Sequence, residues 1–249
     1  MTHRDRTTID LNCDLGEGGS HDADLMSLVS SVNVACGGHA GDANTMARAV
    51  GLARRHGVAI GAHPGHLDRE HFGRRELPIT PAALEALVEG QVAALVAVLG
   101  GPPRHLKLHG GLYHQAGRDS DLAAAVVTAA TSRWPESILV AAVGSRLAEV
   151  ARQRGSPVAC EAFLDRAYRA DGTLLPRTEP GALIVDPRAA AARAVRLACD
   201  GVVEAIDGTV LELWPDTLCI HGDGPDPVGF AREVRAALAA AGITVDSSY

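Results

Sequence analysis

The side chains best able to do chemistry in this chain are gathered in six short polar bursts: "NCDLGEGG", "ACGGHAGD", "GAHPGH", "KLHGGLYH", "CEAFLDR" and "IHGDGP". They carry Asp14, His39, His63, Lys107, His109, Glu161, Asp165, Arg166, His221 and Asp223. Carboxylates and imidazoles in that mixture suit general acid–base catalysis or the binding of a divalent metal. Glycines around His39 and His63 let backbone and ligand approach closely, and Asp14 completes a metal-binding set with them. Lys107 is the only lysine among 23 basic residues. Burial can tune a lysine pKa whereas arginine stays charged, so a chemical role for Lys107 beside His109 is expected. Arg74 and Arg75 in "HFGRRE", and Arg166 near Glu161, are candidate clamps for a carboxylate or phosphate. His221 and Asp223 precede a helix expected to start near Pro225, whose N-terminus would suit an anion.

The elements that must position these residues alternate regularly. Strands are predicted at 7–13, 31–36, 57–62, 104–109, 137–143, 156–160, 217–222 and 242–245. Helices are predicted at 43–56, 80–99, 119–132, 144–154, 187–200 and 225–241, with Thr80–Pro81 and Asp186–Pro187 as start signals. Residues 161–186 break the rhythm and read as a long loop with short strands. This order predicts an α/β fold, a (β/α) TIM-like barrel of seven or eight units in one domain spanning 1–249. Each burst follows a strand, so all six would converge on the mouth of the barrel. Alternation along "IDLNCDL" puts Asp10, Asn12 and Asp14 on one face, and "LKLH" does the same for Lys107 and His109. With the apolar face turned to the helices, all five point into the lumen, where charges need partners.

Composition narrows the function. A net charge of −7 argues against a nucleic-acid or anionic-membrane surface. The N-terminal "MTHRDRTTID" holds no apolar leader, no run is read as a membrane span, and the cytoplasm is the expected compartment. The five cysteines lack CxxC spacing and read mostly as small buried hydrophobes. No GxGxxG follows the first strand, and the sole lysine is followed by leucine, which excludes a P-loop. The chain has no recognisable cradle for a nucleotide.

Long motifs in order along nearly the whole chain resemble the LamB/YcsF family: "IDLNCDLGEG", "SVNVACGGHAGD", "GVAIGAHPGHLDREHFGRRE", "HLKLHGGLYHQ", "EAFLDRAYRADGTLLPR" and "LCIHGDGP". The resemblance implies a barrel of the glycoside hydrolase/deacetylase type. It also implies ATP-dependent opening of 5-oxo-L-proline (pyroglutamate) to L-glutamate, performed with 5-oxoprolinase subunits B and C. Asp14, His39, Asp42, His63, Arg74, Arg75, Lys107, His109, Tyr113, Glu161, Asp165, Arg166, His221 and Asp223 match the family pattern. Gly38 and Gly111 depart from it, standing where the family usually has Phe and Ala. On this basis Asp14 or a divalent metal directs water, His63 and His109 handle protons, and Lys107 stabilises oxyanion or phosphate charge. Arg74 or Arg166 holds the substrate carboxylate; Arg75, Tyr113, Glu161, His221 and Asp223 are the further substrate contacts. ATP would bind with the partner subunits, and self-association is also allowed for. Two rival expectations are a stand-alone metal-dependent deacetylase or amidohydrolase, and a non-catalytic subunit that shelters an intermediate.

Overall fold

A computed structural model describes residues 6–247; the first residues of the polar N-terminal stretch lie outside the described part. Seven parallel strands close a barrel: β1 (Thr8–Leu15), β2 (Ser31–Ala35), β3 (Ala59–His63), β4 (His105–Lys107), β5 (Ile138–Ala142), β6 (Val158–Phe163) and, after an excursion, β9 (Thr217–His221). The ring closes through β1 and β9, whose register sets Asp10 opposite Thr217, Asn12 opposite Cys219 and Asp14 opposite His221. The predicted final strand is not a stave. As β10 (Thr244–Val245) it pairs only with Thr8 and Ile9, below the point where β9 takes over. An antiparallel hairpin, β7 (Val202–Glu204) and β8 (Val210–Glu212), went unforeseen because three-residue strands leave too short a period to read.

The helices are α1 (Asp22–Met26), α2 (Ala43–His56), α3 (Pro81–Leu99), α4 (Gly110–Arg118), α5 (Ser120–Arg133), α6 (Arg146–Gln153), α7 (Pro187–Cys199) and α8 (Pro227–Ala240). Their starts are chemically marked. Asp42 and Thr45 form a capping box on α2, and Thr80, Asp186 and Asp226 cap α3, α7 and α8, each followed by proline. The cap of α8 corrects one expectation. Its first turn is served by the Asp226 carboxylate, which accepts from Gly229 N at 2.9 Å, so the helix already carries its own anion. A second correction concerns α3: its 19 residues, at a mean hydropathy of 1.8, are long and apolar enough for a membrane span. In the fold it packs on β3 and against α2 and α5, turning Leu84, Val88, Val92 and Leu95 into the core.

Ile9, Leu11, Cys13 and Leu15 of β1 pack outward into the layer between barrel and helices, together with Val32, Val34, Leu106 and Leu139. The alternate residues point inward, and the lumen is polar. At its floor Asp10 accepts hydrogen bonds from Ser30 (2.6 Å), Ser31 (2.8 Å) and Thr217 (2.5 Å). Above it Asn33 donates to both Asn12 and Asp14 at 2.8 Å, and His105 bonds the Asn33 carbonyl oxygen at 2.8 Å. Gly61 makes room for His105: a Cβ there would lie 2.1 Å from its ring. A buried polar core of this kind is stable only because its groups find partners.

Candidate active site

Lys107 stands at the centre of the upper lumen, at the end of β4 and 2% exposed. Its ammonium lies 2.7 Å from Glu161, 3.2 Å from Asp14, 3.2 Å from the Asn12 side-chain oxygen and 3.1 Å from Cys219 Sγ. An ammonium has three protons to give, and four acceptors crowd around them: the Asp14 and Glu161 carboxylates, the Asn12 amide oxygen and Cys219 Sγ. The partner of the solitary lysine is therefore a pair of acids from β1 and β6. Burial is the largest single influence and opposes its charge, yet Asp14, Cys219 and Glu161 together outweigh it and hold the Lys107 pKa well above the ordinary value. Asp14 moves the opposite way: burial is again unfavourable, but the charges of His63 and Lys107 push its pKa well below the usual range. Glu161 is further tied by the Tyr113 hydroxyl at 2.9 Å and by Asn12 at 2.9 Å.

The second half of the mouth is a group of imidazoles. His63 ends β3 and His109 caps α4, and His63 Nε2 lies 2.9 Å from His109 Nδ1. Each ring bonds a backbone carbonyl with its other nitrogen, His63 Nδ1 to Lys107 O at 2.9 Å and His109 Nε2 to Phe72 O at 2.8 Å. His39 stacks on His109 with ring centroids 3.6 Å apart and bonds Glu17 at 3.0 Å. Burial, then the neighbouring imidazoles, hold His109 well below its ordinary pKa; burial likewise lowers His39. His63 ends above its ordinary value, because Asp14, 3.3 Å away, more than offsets burial.

Local backbone devices set these positions. Phe72 is the one non-glycine among the described residues with positive φ (55°), and its carbonyl is the one that His109 uses. A left-handed aromatic residue costs about 1–3 kcal/mol, and its ring also packs against His39, His109 and Arg74. The departures at Gly38 and Gly111 have structural reasons in this chain. A Cβ on Gly38 would meet Gln91 and the Gly65 carbonyl at 2.5 Å, and one on Gly111 would lie 2.2 Å from Arg75 O. Gln91 fills the first space, its amide bonding Gly65 through both N (3.1 Å) and O (2.7 Å).

Across the mouth, His221 bonds Asp165 at 2.7 Å, stacks on Phe163, and turns Nε2 to within 3.7 Å of Asp14. Asp223 bridges Arg74 (2.5 Å) and Arg177 (3.1 Å). Arg166 is buried, donates to Leu175 O at 2.6 Å, and has an Nε without a hydrogen-bond partner. Burial, then the nearby Arg177, lowers its pKa to about 10. Arg75 is drawn elsewhere: both its bonds go to Asp68, at 3.0 Å each. Sequence reasoning passed over Glu17, Gln91, Arg177 and Cys219. Glu17 sits inside the quoted "DLGEGG" burst, so its signal was available; Gln91 on α3, Arg177 in the 161–186 excursion and Cys219 on β9 carry none.

Glu17, His39, His63 and His109 offer one ligand atom each within 4.8 Å of one another, a group able to hold a metal ion. His39 and His63 of the expected metal set belong to it; Asp14 does not, and falls instead with Cys219 and His221.

A relative from Heliobacterium modesticaldum, named as the A component of a 5-oxoprolinase, is 47% identical over 249 residues, covering 97% of this chain and 98% of its own. A lactam utilization protein from Thermus thermophilus superposes with a TM-score of 0.90 at 44% identity, covering 96% of this chain and 99% of that one. A peptidoglycan N-acetylglucosamine deacetylase matches at a TM-score of 0.51 and 10% identity, over 97% of this chain and 86% of that one, a likeness of fold alone. The family model described as the LamB/YcsF family matches residues 9–249, so this chain, with its polar barrel lumen and histidine-lined mouth, is a member of the LamB/YcsF family.

Proposed function

We propose that this chain is the ring-opening component of an ATP-dependent 5-oxoprolinase, hydrolysing 5-oxo-L-proline to L-glutamate in the cytoplasm together with subunits B and C. The observation that carries the reading is the ammonium of Lys107 held between Asp14 and Glu161 beside the His63–His109 pair. The likeness to the A component of a 5-oxoprolinase and to a lactam utilization protein supplies the substrate class.

A lactam carbonyl resists water because its nitrogen delocalises into it. Phosphorylation of the carbonyl oxygen by ATP makes the ring carbon a better electrophile. Addition of water and cleavage of the C–N bond then give γ-glutamyl phosphate, which a second water hydrolyses to glutamate and phosphate. The sequence carries no recognisable nucleotide-binding motif, and in this reading the partner subunits supply that step. Asp14 acts as the base for the attacking water. Its Oδ1 is held by Lys107 and Asn33, which leaves Oδ2, beside His63 and His221, as the oxygen nearest the mouth. Lys107 keeps Asp14 and Glu161 ionised and aligned, and favours the negative charge that grows on the reacting oxygens. His63 and His109 pass the proton toward the ring nitrogen as the C–N bond breaks. The substrate carboxylate is received by Arg74 and Arg166, with Arg177 beside them, displacing Asp223 from the guanidiniums it bridges. Arg75, tied to Asp68, holds the rim loop, and Tyr113 fixes Glu161.

Reconstitution tests this reading. The chain is mixed with subunits B and C, 5-oxoproline, ATP and Mg²⁺, and glutamate is measured with each component omitted in turn. Glutamate should require this chain and ATP together. Release at the same rate without the chain overturns the proposal, and release without ATP favours the stand-alone amidohydrolase.

A further inference from the structure

The two hydrogen bonds to backbone carbonyls at the mouth settle where the imidazole protons are. A carbonyl only accepts, so His63 donates from Nδ1 to Lys107 O and His109 donates from Nε2 to Phe72 O. In the neutral rings this leaves a bare lone pair on His63 Nε2 and another on His109 Nδ1, and these two atoms face each other at 2.9 Å. Two lone pairs at that distance repel unless a proton or a metal ion stands between them, and it is the third imidazole and the carboxylate on the same spot that favour the metal. Glu17 Oε1 lies 3.5 Å from the same His109 nitrogen and 3.0 Å from His39 Nε2. Four donor atoms bound to one ion at zinc-like distances of about 2.0–2.1 Å in a tetrahedron stand about 3.3 Å apart. Three of the spacings, 2.9, 3.0 and 3.5 Å, lie near that value, and all four donor atoms fall within 4.8 Å of one another.

The supports around the rings are those of a ligand set. A metal-bound imidazole characteristically donates its second nitrogen to a carbonyl or carboxylate, which orients the ring; two of the three rings do so. His39 is wedged between glycines: a Cβ on Gly73 would lie 2.6 Å from its Cβ, and one on Gly65 would lie 2.6 Å from its Nδ1. That Nδ1 is buried and has no hydrogen-bond partner. The neighbouring trio of Asp14, Cys219 and His221 differs, because the Lys107 ammonium already lies 3.2 Å from Asp14 and 3.1 Å from Cys219. The ammonium charge disfavours a second cation there, and Asp14 Oδ2, 3.3 Å from His63 Nε2, is left open as a base.

We propose that Glu17, His39, His63 and His109 bind one divalent transition-metal ion of the zinc type, with Asp14 beside the ion as base rather than as ligand. With the ion bound, both nitrogens of His63 and of His109 are committed, and Asp14 handles the proton in their place. Three imidazoles and one carboxylate match the ligand preference of such ions. The bound ion would supply Lewis acidity at the mouth of the barrel. Glu17 is the most exposed of the four side chains at 17%, and ion entry and ligand exchange occur on its side. The inference does not rest on the identity of the substrate, and its test needs no turnover.

Protein stripped with a chelator is titrated with Co²⁺ and with Zn²⁺, following visible absorption and calorimetry. The wild-type chain should take up one equivalent, with the intense bands of tetrahedral Co²⁺. Glu17→Gln and His109→Gln should each weaken binding about 100-fold, with circular dichroism unchanged. Asp14→Asn should bind within about tenfold of wild type. Absence of stoichiometric binding by the folded wild-type chain overturns the proposal, as does full affinity in Glu17→Gln with loss in Asp14→Asn. Either failure leaves the reconstituted glutamate assay, and hence the proposed activity, standing separately.

Discussion

His105 and His63 point inward from neighbouring strands of one barrel, and their surroundings drive them apart. Burial and the adjacent Lys107 charge hold His105 down to about 3, so it is a neutral hydrogen-bonding strut against Asn33. His63 is as deeply buried, but Asp14 lies 3.3 Å away and its pKa rises. The contrast holds for the two layers as wholes. On the floor, Asp10 is satisfied by hydroxyls and Asn33 by amide and ring partners, so the groups serve stability. At the mouth, acids face an ammonium and imidazoles face one another, so charge and lone pairs are poised for a reacting group. One step of strand alternation separates the two layers. What differs is whether the partners are neutral donors or charged groups.

The largest expected effect comes from breaking the centre of the mouth. Lys107→Met leaves Asp14 and Glu161 buried without their cation, and should cost about 3–5 kcal/mol in urea unfolding and abolish glutamate release in the reconstituted reaction. A loss below about 1 kcal/mol would show that the acids are not held by this lysine. The next pair of variants sets floor against mouth. Ser31→Ala removes one donor from Asp10 and should lower stability by about 1–3 kcal/mol, with turnover per folded molecule unchanged. His63→Gln should instead lower turnover by about 100-fold or more while the unfolding midpoint moves little. If both variants act alike, the two-layer division fails.

The same contrast is read in pH. The depressed His105 pKa means that the unfolded chain binds a proton near pH 6.5, while the folded chain refuses it until about pH 3. Stability should therefore fall as pH drops through that window, and His105→Gln should flatten this part of the slope. An unchanged slope would place the acid sensitivity in carboxylates alone. The smallest contrast lies on the rim. Arg74→Met should raise the KM for 5-oxoproline about tenfold, whereas Arg75→Met, tied to Asp68, should leave it within about twofold.

Much of this arrangement was legible in the chain. "IDLNCDL" announced its inward face, and Thr80–Pro81 and Asp186–Pro187 announced helix starts that the structure places within one residue of the expectation. The six bursts do follow six barrel strands. Other features carried no local signal. α4 begins with two glycines, which propensity reads as a loop, and only the close approach to the Gly73 and Arg75 carbonyls explains them. Gln91 looked like one polar residue on an apolar helix, and its bond to Gly65 depends on how α3 docks. Arg177 lies in an irregular excursion, where no periodicity assigns a direction.

The sequence by itself determined which side chains turn inward, where most helices start, and that the polar residues gather at one end of a parallel barrel. These follow from local periodicity and capping, which each segment carries alone. Only the tertiary structure decided which inward groups meet: Lys107 of β4 with Glu161 of β6 and Asp14 of β1, His63 with His109 and Asp14, and Glu17 with His39 and His109. The physical reason is closure. Register around a seven-strand ring sets distances across the lumen, and no stretch of chain contains that information until β1 and β9 have joined.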